Sequence, residues 1–171
     1  MLLYPPEQFD KNEWAIIFGV LFNILIFTVL PKRIPKEITP LIVLLSISFP
    51  KVMDHTMGVK PFNYYNLTDT YKYEIFDVVL YAVYPAFGYL FVYLIHYLDL
   101  KGFKRVLYFL SWTAFAFILE LFLVKLNVYV YNGWKIIYSL PVYSIVLSLT
   151  YLFYIFLIAY RNKELNQNPT S

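Results

Sequence analysis

Long apolar runs separated by short polar segments dominate the chain. A helix needs about 20 mostly apolar residues to cross a bilayer, because it rises about 1.5 Å per residue. Five segments meet or approach this length, which predicts an all-α, polytopic transmembrane helical bundle. The predicted spans are residues 14–30, 38–57, 78–98, 106–124 and 136–160, in a single transmembrane domain over 1–160 with a short cytoplasmic tail over 161–171.

The second predicted span is the weakest of the five. Its uncharged stretch, Ile38 to Pro50, has 13 residues and makes about 20 Å of helix. To cross the membrane, the helix must continue through Lys51, Asp54 and His55 or lie short in a thinned bilayer. The count of five spans therefore depends on this segment.

Basic residues indicate how the bundle is oriented. Eight Lys and Arg residues follow the first, third and fifth spans in two short loops and the tail, whereas six lie on the other side in longer segments. Short cytoplasmic loops carry an excess of Lys and Arg, so we predict the N-terminus outside and the C-terminus in the cytoplasm. Omitting the second span would place the two basic loops on opposite sides, which favours five spans.

Composition agrees with a lipid environment. Charged residues make up 15% of the chain, against about 25% in a typical soluble domain. A soluble fold of this size could not hide so much apolar surface from water. The net charge of +3 is too small for a nucleic-acid footprint, so we expect no nucleic acid partner. The chain has no Cys, which excludes disulfides and thiolate catalysis.

Ionisable residues within the spans are the first candidates for function, because a charge at the bilayer centre costs about 2.5–3.5 kcal/mol on insertion scales. Glu120 is the strongest candidate, five residues from the outer end of the fourth span. Thr113 and Ala116 share its helix face, where another helix can approach closely. The alternative interpretation is a structural Glu120, hydrogen-bonded to neighbouring Ser, Thr or Tyr hydroxyls.

Asp54 and His55 end the second span, and Asp77 opens the third. Asp54 and His55 form either a site for a cation, a proton or a headgroup, or a helix end in which Lys51 pairs with Asp54. One interpretation of Asp77 is that its carboxylate stabilises the N-terminus of the third span. The alternative is that Asp77 shares a helix face with Tyr81 and points into the bundle.

These residues form one predicted polar cluster near the outer leaflet. Its members are Asp54, His55, Asp69, Asp77, Glu120, Trp134 and Tyr138. Carboxylates and His suit Zn, Mn or Ca, so the cluster can bind a cation. It lacks a spacing such as H-E-x-x-H, which leaves the identity of any metal open. No motif indicates a catalytic residue or a cofactor.

The outer loop between the second and third spans, roughly Met57 to Phe76, is rich in turn formers. Its tyrosines, which include Tyr64 and Tyr65, have an apolar ring and a polar tip. We expect them to rest on the headgroup layer.

Several short patterns spread over residues 54–160 resemble an uncharacterised family of small multi-pass membrane proteins of Bacillus and Clostridium relatives. The patterns are Asp54-His55-x-x-Gly58-x-x-Pro61-x-x-Tyr64, Asp69, Tyr73-Glu74-x-x-Asp77, Tyr84-Pro85-x-x-Gly88-Tyr89, Glu120, Tyr131-x-Gly133-Trp134 and Tyr138-Ser139-x-Pro141. The resemblance implies a multi-pass protein of a bacterial plasma membrane. It implies no activity.

Three functions stay open, in this order of preference. The first is a non-enzymatic accessory or sensor subunit, for which we expect another membrane protein as partner besides the lipid bilayer. The second is a small transporter or cation-binding protein that uses the outer acidic cluster. The third is a membrane enzyme acting on a lipid or an isoprenoid, which requires Asp54, His55 and Glu120 to converge on one groove.

Overall fold

Helices and one small sheet make up the described part of the chain. The computed structural model describes residues 4–6, 8–68 and 74–167. In chain order the elements are α1 (Lys11–Val29), α2 (Thr39–Met57), β1 (Tyr65–Leu67), α3 (Ile75–Val79), a 3₁₀ turn (Leu80–Ala82), α4 (Tyr84–Tyr97), α5 (Gly102–Lys125), β2 (Tyr129–Tyr131), a 3₁₀ turn (Ile136–Tyr138) and α6 (Ser139–Gln167). The predicted all-α fold class is confirmed.

Four helical stretches in the described residues are long and apolar enough to cross a membrane. They are Lys11–Val29, Ile75–Tyr97, Gly102–Lys125 and Ile136–Gln167. The weak second segment forms the 19-residue helix α2 but is not one of these four, because its charged residues lower its hydropathy. At the other end of the chain, α6 continues to Gln167. Arg161 and Lys163 therefore lie on this helix.

Pro85 divides the third helical stretch. Proline has no N–H to donate to the carbonyl four residues earlier, and the chain runs as a 3₁₀ turn between α3 and α4. Asn23 of α1 donates its side-chain amide to the Ala82 carbonyl at this break. The polar residue in α1 thus gives the interrupted backbone a partner inside an apolar bundle.

Helix α2 packs lengthwise against α4 and runs in the opposite direction. Ser46 lies against Gly88, and one turn before the end of α2 the Asp54 carboxylate accepts a hydrogen bond of 2.9 Å from Tyr81. Near its start, Ile42 is fully buried in the same core cluster as the second half of α4. A Cβ built on Gly88 would overlap the Ser46 hydroxyl and lie 2.9 Å from its Cβ. Gly88 therefore permits the close approach that small residues give to membrane helices.

Helices α5 and α6 form an antiparallel pair. The buried residues of α5 are Thr113, Ala116 and Glu120, which confirms the predicted face. Glu120 accepts hydrogen bonds from Ser139 and Tyr143 at the start of α6. The polar face of α5 is thus turned toward α6 and away from the outer surface of the bundle.

A two-stranded antiparallel sheet covers one end of the bundle. Tyr65 of β1 pairs with Tyr131 of β2, and Leu67 pairs with Tyr129. Tyr65 is only 7% exposed, whereas Tyr64 is 38% exposed. The expectation that both rest on the headgroup layer is therefore wrong for Tyr65, because its hydroxyl has a hydrogen-bonding partner inside the protein.

Candidate functional site

A partly open cavity of about 170 Å³ lies below the sheet, between α2, α4, α5 and α6. Asp54 reaches it from α2 and Glu120 from α5. Both carboxylates lie at the end of the cavity that is closed by the sheet, since each accepts a hydrogen bond from a sheet tyrosine. The two strongest sequence candidates therefore share one cavity.

Tyrosine hydroxyls hold the Asp54 carboxylate in place. Tyr65 donates to Oδ1 at 2.8 Å and Tyr81 donates to Oδ2 at 2.9 Å. Asp54 is 8% exposed. Its predicted partner Lys51 lies instead with its amine 5.9 Å from the centroid of the Tyr81 ring. The interpretation of Asp54 as half of a helix-end salt bridge therefore does not describe this structure.

Three hydroxyls donate to the Glu120 carboxylate. Tyr131 and Ser139 donate to Oε1 at 2.5 and 2.8 Å, and Tyr143 donates to Oε2 at 2.9 Å. The Ser139 oxygen in turn accepts a hydrogen bond of 3.0 Å from Trp134 Nε1. The hydrogen bonds proposed for a structural Glu120 are present, and they hold the carboxylate at the cavity wall.

The tyrosines at the sheet end remain protonated at neutral pH. Burial raises the pKa of Tyr65, and the adjacent charge of Asp54 raises it further. Burial also raises the pKa of Tyr131, as does its hydrogen bond to Glu120. For Tyr129, the pKa is raised by burial first and then by the charges of Asp54 and Glu120. Tyr65 and Tyr131 are therefore neutral hydroxyl donors, Tyr65 to Asp54 and Tyr131 to Glu120.

The cavity carries acidic groups without basic ones. None of the described residues lining it is a Lys, Arg or His. Within residues 8–68 and 74–167, neither Asp54 nor Glu120 forms an ion pair. The remaining wall is aromatic and aliphatic, and includes Phe87, Trp134 and Val146. The cavity is thus a mostly apolar chamber with two acidic side chains at one end.

The other members of the predicted cluster lie elsewhere, except for Trp134. His55 is exposed, and its Nδ1 lies 2.9 Å from the Lys51 carbonyl of its own helix. Asp77 is buried but caps α3, where it accepts hydrogen bonds from the Thr68 hydroxyl and the Glu74 N–H. Tyr138 is 46% exposed and does not line the cavity, and its ring packs edge to face with the Trp134 ring at a centroid distance of 5.7 Å. Asp69 lies outside the described residues.

Six tyrosines that line the cavity or donate to its acids are absent from the predicted cluster. They are Tyr65, Tyr81, Tyr84, Tyr129, Tyr131 and Tyr143. Tyr81 and Tyr84 follow Asp77 by four and seven residues, a spacing that indicates one shared helix face. The other four carry no such signal, because the antiparallel sheet and the α5–α6 pairing bring them together from distant parts of the chain.

Comparison with protein-family models, with curated proteins and with solved structures found no match for this chain. The site therefore has to be interpreted from its own chemistry. Among the described residues, no group of three or more His, Cys or acidic side chains is placed to hold a metal ion. What the arrangement offers is two fixed carboxylates, neutral hydroxyls and apolar walls around a small space.

Proposed function

We propose that this protein is a non-enzymatic membrane protein that binds a cation in the cavity and acts as a sensor or accessory subunit. The pair of buried carboxylates on one cavity, with no basic side chain among its described lining residues, carries the proposal. Burying a charge is costly unless it is paired. The hydroxyl donors offset part of this cost, and a bound cation would supply the missing positive charge.

The enzymatic alternative has less support. It requires Asp54, His55 and Glu120 to converge as an acid–base set, and His55 lies on the exposed side of α2, outside the cavity. A sensor or accessory subunit needs a ligand site and a change in its packing, but no proton transfer. The cavity fits that requirement, because it touches four helices at once.

Our proposal includes five spans in a bacterial plasma membrane, with the N-terminus outside. Helix α2 supports it: its 19 residues reach about 28 Å, close to the thickness of a hydrocarbon core. It also runs alongside α4 from Ile42 to Asp54. Its two charged residues, Lys51 and Asp54, lie in its last two turns, near the sheet and the proposed outer surface.

Single cysteines test this topology, because the native chain has none. Lys36 and Lys60 are exposed and lie on either side of α2. We expect an impermeant maleimide to label Lys60→Cys on intact cells and Lys36→Cys only after permeabilisation. Equal labelling of both variants would mean that α2 does not cross. Labelling of Lys36→Cys alone would refute the orientation and keep the crossing.

Calorimetric titration of the purified protein in lipid nanodiscs tests the binding function. The panel is Na⁺, Mg²⁺, Ca²⁺ and tetramethylammonium. We expect at least one of these cations to bind, and binding to be lost in the Asp54→Asn, Glu120→Gln double variant. The matched control removes two exposed acids at the other end of the bundle, Glu37→Gln with Asp99→Asn, and should bind normally.

Two results would change the proposed function. Binding of none of the four cations, or equal binding by the double variant and its control, would contradict a cation site at Asp54 and Glu120. Uptake of the bound cation into proteoliposomes would instead place the protein in the transporter class.

A further inference from the structure

We propose that the bound cation is an organic ammonium ion, preferably quaternary, that carries one short apolar substituent. The charged head would lie at Asp54 and Glu120, and the substituent would lie along α6. This inference rests on the proposed cation site and names the class of its ligand.

Aromatic rings surround the position proposed for the head. Tyr65, Tyr84, Tyr129 and Trp134 all line the cavity near the sheet. The face of an aromatic ring attracts an ammonium within about 6 Å of its centroid, most strongly where water is excluded. Rings and carboxylates together are the combination that recognises quaternary ammonium groups.

The hydrogen bonds at the carboxylates favour a head without N–H donors. Both oxygens of Asp54 and both oxygens of Glu120 already accept hydroxyl hydrogen bonds. A quaternary ammonium, which donates none, would leave those bonds intact and add only charge. A Ca²⁺ ion takes about 6–8 oxygen ligands, which is more than the lone pairs that these hydrogen bonds leave on the two carboxylates.

An apolar wall extends away from the charged end. On α6 the cavity is lined at Ser139, Val142, Val146, Leu147 and Thr150, which fall on one face of the helix and cover about 16 Å of its axis. Leu147 belongs to the main apolar core. The cavity therefore continues from its acidic end toward the middle of the bundle, where an alkyl or aryl group is better accommodated than water.

The volume limits the size of the ligand. The cavity measures about 170 Å³, and an apolar cavity of about 150 Å³ in another protein holds benzene. A trimethylammonium head with a few methylenes is of this order. A two-chain phospholipid is several times too large, so a small ammonium solute is the ligand class that fits.

A chain-length series measures both parts of the proposal. The probes are tetramethyl-, ethyltrimethyl-, propyltrimethyl- and butyltrimethylammonium, titrated by calorimetry into the protein in nanodiscs, with empty nanodiscs subtracted. Burying one methylene contributes about 0.8 kcal/mol, so we expect about fourfold tighter binding per added methylene. Glu120→Gln should weaken every member of the series at least tenfold, and Glu37→Gln should weaken none.

A second variant tests the apolar wall without touching the charge. Val146 is half-buried on the cavity wall, and its neighbour Ile145 is 59% exposed. We expect the larger side chain of Val146→Phe to occupy the space along the wall and abolish the gain in affinity with chain length. Tetramethylammonium should still bind within about threefold of its native affinity. Ile145→Phe is the matched control and should keep the gain.

The possible outcomes separate this inference from the function on which it rests. Binding of Na⁺, Mg²⁺ or Ca²⁺ without binding of any ammonium would overturn the ligand class and leave the cation site standing. Ammonium binding without a chain-length gain, or with a gain that survives Val146→Phe, would overturn the placement of the apolar substituent. Failure of every cation to bind would overturn the inference and the proposed function together.

Discussion

Replacing Gly88 with Ala tests whether α2 is held against α4 as the structure describes. The added methyl group would overlap the Ser46 hydroxyl and lie 2.9 Å from the Ser46 Cβ. Ser46 has little freedom to move, because its hydroxyl donates to the Ile42 carbonyl of its own helix at 2.7 Å. One of the two helices must therefore shift.

Two effects of similar size oppose each other in this single variant. Overpacking typically costs about 1–3 kcal/mol, whereas Ala is better than Gly in a helix by about 0.8–1.0 kcal/mol. The net loss for Gly88→Ala is therefore about 0–2 kcal/mol. Such a range would not distinguish a tight contact from a loose one.

A double-mutant cycle removes the propensity contribution. Ser46→Gly opens the space that the new methyl group needs, so the double variant should not suffer the steric clash of Gly88→Ala. The helix-propensity changes of the two single variants cancel when the coupling free energy is calculated. We expect a favourable coupling of about 1–3 kcal/mol, since contacting residues couple by about 0.5–3 kcal/mol. The free energy of unfolding can be measured by reversible SDS titration in mixed micelles, followed by tryptophan fluorescence.

Ser48 provides the matched control. It lies on the exposed side of α2, and its hydroxyl also donates to a backbone carbonyl four residues earlier, at 2.7 Å. The cycle between Ser48→Gly and Gly88→Ala should be additive within about 0.5 kcal/mol. An additive cycle for Ser46 as well would show that α2 does not lie against Gly88, and the five-span bundle would lose its main support.

Three further variants, measured in the same SDS titration, examine polar contacts. Tyr143→Phe removes one hydroxyl donor from the Glu120 carboxylate and should lower the free energy of unfolding by about 1.5–3 kcal/mol. Its control, Tyr138→Phe at an exposed position, should change it by less than about 0.5 kcal/mol. Equal losses would contradict the described site. Asp77→Ala removes the third-residue carboxylate of the α3 capping box, so we expect a loss of about 1 kcal/mol and unchanged cation binding. Lost binding would return Asp77 to the site. Asn23→Ala removes the side-chain donor from the Ala82 carbonyl, which should cost about 0.5–1.5 kcal/mol, the net contribution of one hydrogen bond. A neutral effect would mean that water replaces the amide.

Hydropathy was sufficient to identify the two acids at the cavity. A carboxylate inside an apolar run has few ways to be stabilised, so its side chain turns into the bundle. Ser46, Pro50 and Asp54 are spaced four residues apart, which places them on one side of α2, and all three line the cavity. His55 follows Asp54 by about 100° around the helix, so it could not face the same cavity.

Which tyrosines of the sheet bond to these acids could not be predicted from the sequence. Tyr65 and Tyr131 are brought together by pairing of two three-residue strands that are far apart in the chain. Strands this short have no readable alternation, and their register comes from the helices that bring them together. Tyrosines are also common at membrane interfaces, so residue type alone could not separate buried Tyr65 from exposed Tyr64.

The most direct test of the cation site is a crystal structure with tetramethylarsonium, an isostere of tetramethylammonium whose arsenic scatters anomalously. We expect one anomalous peak inside the cavity, between Asp54 and Glu120 and within about 6 Å of the Tyr129 or Trp134 ring. The peak should be absent in the Asp54→Asn, Glu120→Gln double variant. A peak only outside the cavity, or one inside it that persists in the double variant, would contradict binding by these two carboxylates.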